Sequence, residues 1–379
     1  MKIKSITVSV FEKLGETGRF NLAEMEEGSR RYWSRLESTQ AQGVIHVMHV
    51  TTDDGVEGMC TVGDARYRKI LESDLDHLRH LAVGEDPLDR ERLNSKLSYA
   101  TRFMFTRPGW FGAFDNCLWD IAGKVSGMSV CRMLGRARSE APAYYNYGGK
   151  DKKAAIEDAH KALDMGFSAL KDHFSGRGRE NVAWSEAVRK AIGPNVELLH
   201  DAAGCTYTFE EAVQVGRALE QLEFLWFEEP LPDRDMIPLQ RLCAALDISV
   251  MALESMMHDI KLSATWLIQG ATDRIRANAR HGVTSLLKLA HMAELHNTTV
   301  ELNGPGGLFG LVHSHMMCAI GNTTYYEYFP CGSRDEAGKE IGLLNPPVPV
   351  NGNISPPEGP GWGADWDRSY FEKIRTAVL

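Results

Sequence analysis

Five apolar runs begin at Glu223, Ile248, Asp273, Thr298 and Thr323, each 25 residues after the last. A strand, a loop and a returning helix together fill about that length, so an even beat of this kind points to repeated β/α units. Three earlier runs, from Ala143, Ser168 and Val196, extend the series to eight. The expected architecture is a parallel (β/α) barrel. The segments between the runs carry helical patterning: from Lys152 to Met165, the residues Ala155, Ile156, Ala159, Ala162 and Leu163 fall on one side, and Gly166 closes the helix.

A barrel of about 250 residues leaves a further unit in a chain of 379. Residues 1 to about 60 read as strands and turns, with Asp53-Asp54-Gly55 as a turn signal. Gly15 to Gln42 reads as a long charged loop holding Arg19, Arg30, Arg31, Tyr32 and Trp33. A loop of that length is expected to serve as a lid, with Arg19 and Trp33 among the side chains that meet substrate. Ser73 to Gly135 is helical in pattern, and Phe111, Phe114, Leu118, Ile121 and Ala122 share one face. Residues 340–379 are rich in Pro and Gly, carry a short helix from Asp367, and are expected to pack back on the N-terminal unit.

Charge and composition narrow the partners. The net charge of −9 comes with scattered Lys and Arg, which argues against a surface that tracks phosphates, and nucleic acid is not an expected partner. Seven cysteines without CxxC spacing read as reduced thiols of a cytoplasmic protein. Met1 to Val10 alternates like a strand instead of forming the apolar core of a signal peptide, and no run nears the ~20 apolar residues of a membrane span.

Three of the runs end in acids. Asp201 precedes Glu228 by 27 residues, and Glu228 precedes Glu254 by 26. On a parallel barrel these carboxylates meet at the C-terminal rim, where such barrels keep their chemistry. Their mutual repulsion calls for a hard divalent cation, best met by Mg²⁺. The second strand ends Ala169-Leu170-Lys171-Asp172-His173, and alternation puts Lys171 and His173 on one face. An imidazole with an ordinary pKa near ~6.5 is largely neutral at pH 7, so His173 is a candidate base.

Taken together, Asp201, Phe227-Glu228-Glu229-Pro230, Leu253-Glu254-Ser255, Lys171-x-His173, Leu118 to Lys124 and Gly359-Pro360-Gly361-Trp362-Gly363 resemble the enolase superfamily in its mandelate racemase-like branch. The resemblance implies an α+β capping domain over a modified (β/α)7β barrel. The division it suggests is 1–135 for the N-terminal cap, 136–335 for the barrel and 336–379 for a tail returning to the cap. It further implies Mg²⁺ on Asp201, Glu228 and Glu254, and removal of the proton beside a substrate carboxylate. Lys171 would stabilise the developing charge. Glu327 matches an acid that hydrogen-bonds the enediolate when protonated. Tyr147, ending the first barrel strand, is expected to reach substrate. Barrels of this branch commonly form homo-oligomers.

The departures from the pattern shape the reaction expected. His173 replaces the second lysine of a Lys-x-Lys pair. Asn303 stands where a strand-seven histidine is usual, and either Asn278 or Arg276 stands at the strand-six aspartate position, depending on a short gap. Asparagine carries hydrogen bonds, not protons, so Asn303 and Asn278 can only orient substrate. A racemase needs a proton carrier on both faces. The expected activity is therefore one-base dehydration of a hydroxylated acid, a small hydroxy-carboxylate such as an aldonate or aldarate. The alternatives are an epimerase or cycloisomerase of a similar acid, and a metabolite-binding paralogue that has lost catalysis.

Overall fold

A computed structural model gives the fold. It describes residues 1–19, 22–27, 30–35, 39–62, 70–104, 108–203, 205, 207–256, 259–304, 308–330 and 338–379; for residues 13–19, 27, 30, 32, 34, 35, 39–43 and 308 the description stops at the backbone. The N-terminal strands are β1 (Ile3–Arg19), β2 (Leu22–Glu27), β3 (Arg30–Arg35), β4 (Thr39–Thr52) and β5 (Glu57–Thr61). β1, β4 and β5 form an antiparallel sheet, while β2 and β3 pair as a separate two-stranded ribbon. The stretch expected as a lid loop is thus largely strand where it is described. Its charge masks the alternation: β2 reads Leu-Ala-Glu-Met-Glu-Glu, β3 reads Arg-Arg-Tyr-Trp-Ser-Arg, and Leu22, Met25 and Trp33 are exposed. A hairpin wet on both faces gives no clean apolar-in, polar-out signal.

Three helices follow: α1 (Glu72–Ala82), α2 (Arg90–Met104) and α3 (Trp110–Ser126). α3 is buried without a break from Trp110 to Gly123, although its sequence predicted a single apolar face. It lies between the cap sheet and the barrel, so its polar side chains are satisfied in both directions. Asp120 accepts hydrogen bonds from the backbone N–H groups of Met59 and Trp362, each at 3.0 Å. Asn116 donates to the Ala279 carbonyl at 3.0 Å, and Trp119 donates to the Thr284 hydroxyl at 3.0 Å. Buried polar groups hold their place through such partners.

The barrel strands are β6 (Ala141–Asn146), β7 (Ala169–Asp172), β8 (Glu197–Asp201), β9 (Phe224–Glu228), β10 (Ser249–Ala252), β11 (Arg274–Ala277), β12 (Val300–Leu302) and β13 (Tyr326–Tyr328). All pair in parallel, in the order β12-β11-β10-β9-β8-β7-β6-β13, and make a nearly closed barrel. Each begins within three residues of the start expected from the spacing. β14 (Asn353–Ile354) adds antiparallel to β6, and β15 (Ala377–Val378) adds to β1, so the tail touches both units. The helix expected near Asp367 runs from Arg368 to Ile374, with the Asp367 side chain capping the Tyr370 N–H. Glu57 ties that helix to the sheet, meeting His49 at 2.8 Å and Arg368 at 3.0 Å. Among the described residues no helix is long and apolar enough to cross a membrane, and the six described cysteines are unpaired.

Gly112 shows how tightly the cap meets the barrel. A methyl group there would run into the carbonyl of Arg280, in the turn Ala279–His281 that follows β11. Gly112→Ala is expected to lower stability by about 1–3 kcal/mol, measured by chemical denaturation, because backbone on both sides cannot yield. A change below about 0.5 kcal/mol would show that the contact is loose.

Candidate active site

Alternation along the barrel strands sorts the inward side chains into layers. Tyr144, Ala169, Leu199, Trp226 and Met251 make a wholly buried floor. Two positions further along four of those strands come Asn146, Lys171, Asp201 and Glu228, all buried. The polar layer therefore sits directly above an apolar one.

Lys171 is the hub of that layer. Its Nζ lies 3.0 Å from Asp201 Oδ2, 3.0 Å from Glu228 Oε2 and 2.7 Å from Glu327 Oε1. Burial alone would depress its pKa, but the Glu228, Glu327 and Asp201 carboxylates outweigh burial and hold it charged, well above the usual lysine value. The ammonium also stands 5.2 Å from the centre of the Tyr144 ring, a cation–π distance.

Arg276, from β11, is the second buried cation and is 1% exposed. Its Nε–H points at Glu254 Oε2, 3.4 Å away, and its Nη2 donates to Glu327 Oε2 at 2.6 Å and to the Tyr144 hydroxyl at 3.2 Å. Nε also lies 2.8 Å from Glu228 Oε1, yet no N–H is directed at that oxygen, which stays buried without a hydrogen bond. Between the two cations Glu327 is ionised: burial pushes its carboxyl up, but Arg276 and Lys171 pull it below the usual carboxylate range. It accepts from the Gly304 N–H as well. As the side chains lie, Glu327 is an acceptor and not the protonated donor the family pattern implies.

The acids differ among themselves. Burial pushes Asp201 up, but Lys171 and His173 hold it well below its ordinary value. Burial drives Glu228 the other way, and with the Asp201 charge it outweighs Arg276 and Lys171, leaving the carboxyl raised to about 8. Glu229 is raised to about 11 by burial, then by the Glu254 and Asp233 charges. Backbone strain places the third acid. Leu253, just before Glu254, has φ +93°, and Glu229, just after Glu228, has φ +45°. Side chains rarely accept such values. Asp233 clamps the first of these turns, accepting from the N–H groups of Leu253 and Ser255 at 2.7 Å each.

His173 stands at the rim with its side chain 41% exposed, Nε2 3.1 Å from Asp201 Oδ2 and its ring 5.8 Å from that of Phe329. Across the cavity Asn278 donates to the Asn303 side-chain oxygen, and both are buried. That contact resolves the register of strand six: Asn278 is the residue facing Asn303, and Arg276 lies one step deeper. Tyr147 does not reach the cavity. It is buried against the Phe174 ring at 5.7 Å and feels the Asp172 carboxylate, on the side of β7 opposite Lys171. Period-two geometry on β6 gives the reason, since Tyr144 and Asn146 take the inward face. Trp33 is 60% exposed on β3, and the Arg19 side chain lies outside the described residues. His313, a further histidine of the chain, is structural: its Nε2 accepts from the Ala279 N–H at 2.9 Å, and burial lowers it to about 3.

Among the described residues, no three His, Cys, Asp or Glu side chains stand close enough to hold a metal ion as they lie. Asp201 and Glu228 lean on Lys171, and Glu254 leans on Arg276. The donor set nevertheless suits a hard divalent cation. All three acids offer oxygen, Asp201 and Glu228 end adjacent strands side by side while Glu254 follows two residues after the end of β10, and Glu228 Oε1 is an orphaned buried acceptor. Arg276, Tyr144, Asn146 and Asp233 complete the site without having been singled out for it. Alternation with Lys171 could have found Tyr144 and Asn146; nothing local marks Asp233.

Comparison with known proteins places the chain in a family and agrees with the fold. The family model described as "Enolase C-terminal domain-like" matches residues 154–370, and that of the "Mandelate racemase / muconate lactonizing enzyme, N-terminal domain" matches residues 33–135. A D-galactonate dehydratase family member from Catenulispora acidiphila is 25% identical over 378 residues, covering 89% of this chain and 86% of that one. An arabinonate dehydratase from Saccharolobus solfataricus is 25% identical over 311 residues, covering 79% and 81%. The crystal structure of D-glucarate dehydratase from Agrobacterium tumefaciens, complexed with magnesium, superposes with a TM-score of 0.81 at 25% identity over the whole of both chains. The 3,6-anhydro-D-galactonate cycloisomerase from Zobellia galactanivorans, at 22% identity and a TM-score of 0.79 over both full chains, shares the fold. The chain belongs to the enolase superfamily, in its mandelate racemase-like branch.

Proposed function

We propose that this protein is a Mg²⁺-dependent sugar-acid dehydratase that works with a single base. The observation that carries the reading is the asymmetry of the rim: His173 beside Lys171 and Asp201 on one side, and an Asn278–Asn303 amide pair on the other. Dehydratase relatives that align along most of the chain support it. Asp201, Glu228 and Glu254 would hold Mg²⁺, which supplies fixed positive charge for the substrate carboxylate.

His173 takes the proton from carbon two of the hydroxy acid, and the electrons of that C–H bond move toward the carboxylate. Lys171 adds buried positive charge beneath the growing negative charge. As those electrons return to form the C2–C3 double bond, the C3–O bond breaks, and the imidazolium returns its proton to the departing hydroxyl as water forms. The enol left behind tautomerises to a 2-keto-3-deoxy acid. Asn278 and Asn303 hold hydroxyls by hydrogen bonds and move no proton.

Incubation with pooled aldonic and aldaric acids and Mg²⁺ in deuterium oxide, followed by mass spectrometry, tests the reading. Net loss of one water from a substrate, abolished by a chelator, is the expected result. Proton exchange or ring rearrangement without loss of water would overturn it in favour of an epimerase or cycloisomerase. Thermal stabilisation by an acid without turnover would point to a binding protein.

A further inference from the structure

The buried cations of the site can be counted against its acids. Four carboxylates touch Lys171 or Arg276: Asp201, Glu228, Glu254 and Glu327. With all four ionised, as ligation of a cation by Glu228 requires, two fixed positive charges face four negative ones, and the remainder of two is the charge of one divalent ion. Arg276 is the less expected member. It comes from strand six, it is wholly enclosed, and it lies against two of the three acids assigned to the metal, at 2.8 Å from Glu228 and 3.4 Å from Glu254.

We propose that Arg276 is an internal counter-ion that competes with the divalent cation for Glu228 and Glu254, weakening metal binding and matching the site to a charge of two. The inference rests on the metal reading given above. A guanidinium is permanently charged and offers five N–H donors, so it can neutralise several carboxylates at once without leaving the core. The hydrogen bonding shows an incomplete hold: Nε–H reaches Glu254 only at 3.4 Å, Glu228 Oε1 receives no hydrogen bond, and Arg276 Nη1 is buried without a partner. Nη2, by contrast, is anchored to Glu327 and Tyr144. The guanidinium can thus keep its grip on Glu327 and Tyr144 while Glu228 and Glu254 turn toward a metal. A cation that only positioned the acids would have the opposite effect on affinity, since its loss would scatter them.

Calorimetric titration of the whole protein with Mg²⁺ and with Mn²⁺ separates the two roles. Arg276→Met is expected to bind both ions about tenfold more tightly than the parent or better, because a repelling charge within a few ångströms has gone. Arg276→Lys, which keeps the charge, should stay within a few-fold of the parent. Arg276→Gln, which keeps hydrogen bonding and loses the charge, should tighten like the methionine variant and serves if that one fails to fold. With the charge remainder raised from two to three, Tb³⁺ should gain more than Mn²⁺ in either neutral variant. Unchanged or weaker binding in the neutral variants, with the parent binding normally, overturns the counter-ion role alone. Absence of binding by parent and variants together overturns the metal reading, and this inference with it.

Discussion

His173→Asn is expected to lower turnover of the sugar acid by about 10²–10⁴-fold, the usual share of one positioned general base, while fold and metal binding persist. The two halves of that expectation have separate grounds. Among the described rim residues His173 is the side chain placed to accept a proton and return it; Lys171 is locked as a cation among three carboxylates, and the amides opposite cannot titrate. The His173 side chain is 41% exposed, so its replacement removes little packing and should alter stability by less than about 1 kcal/mol. Steady-state kinetics and a Mg²⁺ titration on the same preparation check both. Retention of more than a tenth of the parent turnover would remove His173 from the mechanism and direct attention to a base beyond the described residues.

Lys171→Met is expected to produce the larger loss of stability of the substitutions at this rim. Methionine fills a similar volume but leaves Asp201, Glu228 and Glu327 buried around an uncharged side chain, and removing one partner of a buried ion pair typically costs about 3–5 kcal/mol. The comparison is clean at neutral pH without divalent cation, by denaturant unfolding. On the proposed metal reading, millimolar Mg²⁺ should restore part of the loss, because it would bind the folded state and supply charge to two of the same acids. A deficit below about 1 kcal/mol would mean that the carboxylates find compensation elsewhere, and the hub description would fail.

The barrel was legible because each β/α unit consumes a similar length of chain, so the strand starts keep time even where single strands are only three residues long, as in β12 and β13. Asp201, Glu228 and Glu254 were legible for a related reason: an acid after an apolar run marks where a strand leaves the core. What stayed hidden depends on contacts between distant parts. Arg276 and Asn278 both suit strand six, and only the amide contact to Asn303 fixes which one faces it. The positive φ at Leu253 leaves no local trace, since leucine disfavours it and Asp233, 20 residues earlier, holds the turn. In α3 the sequence shows a single apolar stripe, whereas the burial of Asp115, Asn116 and Asp120 depends on partners in the barrel and tail that lie far off in sequence. The β2–β3 hairpin failed as a prediction because its charges lie on exposed strands and mimic a loop.

The pairing of β15 with β1 sets an order of events in folding. Ser9 lies against Val378 and Val10 against Ala377, so this edge of the cap sheet joins residues separated by nearly the whole chain. Such contacts carry a high loop-closure cost and form late. Successive barrel strands join near neighbours in sequence, and the barrel closes once β13 meets β6, whereas the cap must wait with its β1 edge open until Ala377 and Val378 arrive. The β1 edge of the cap is then the last to be covered, and the one that stays open to edge-to-edge aggregation longest while the protein is being made.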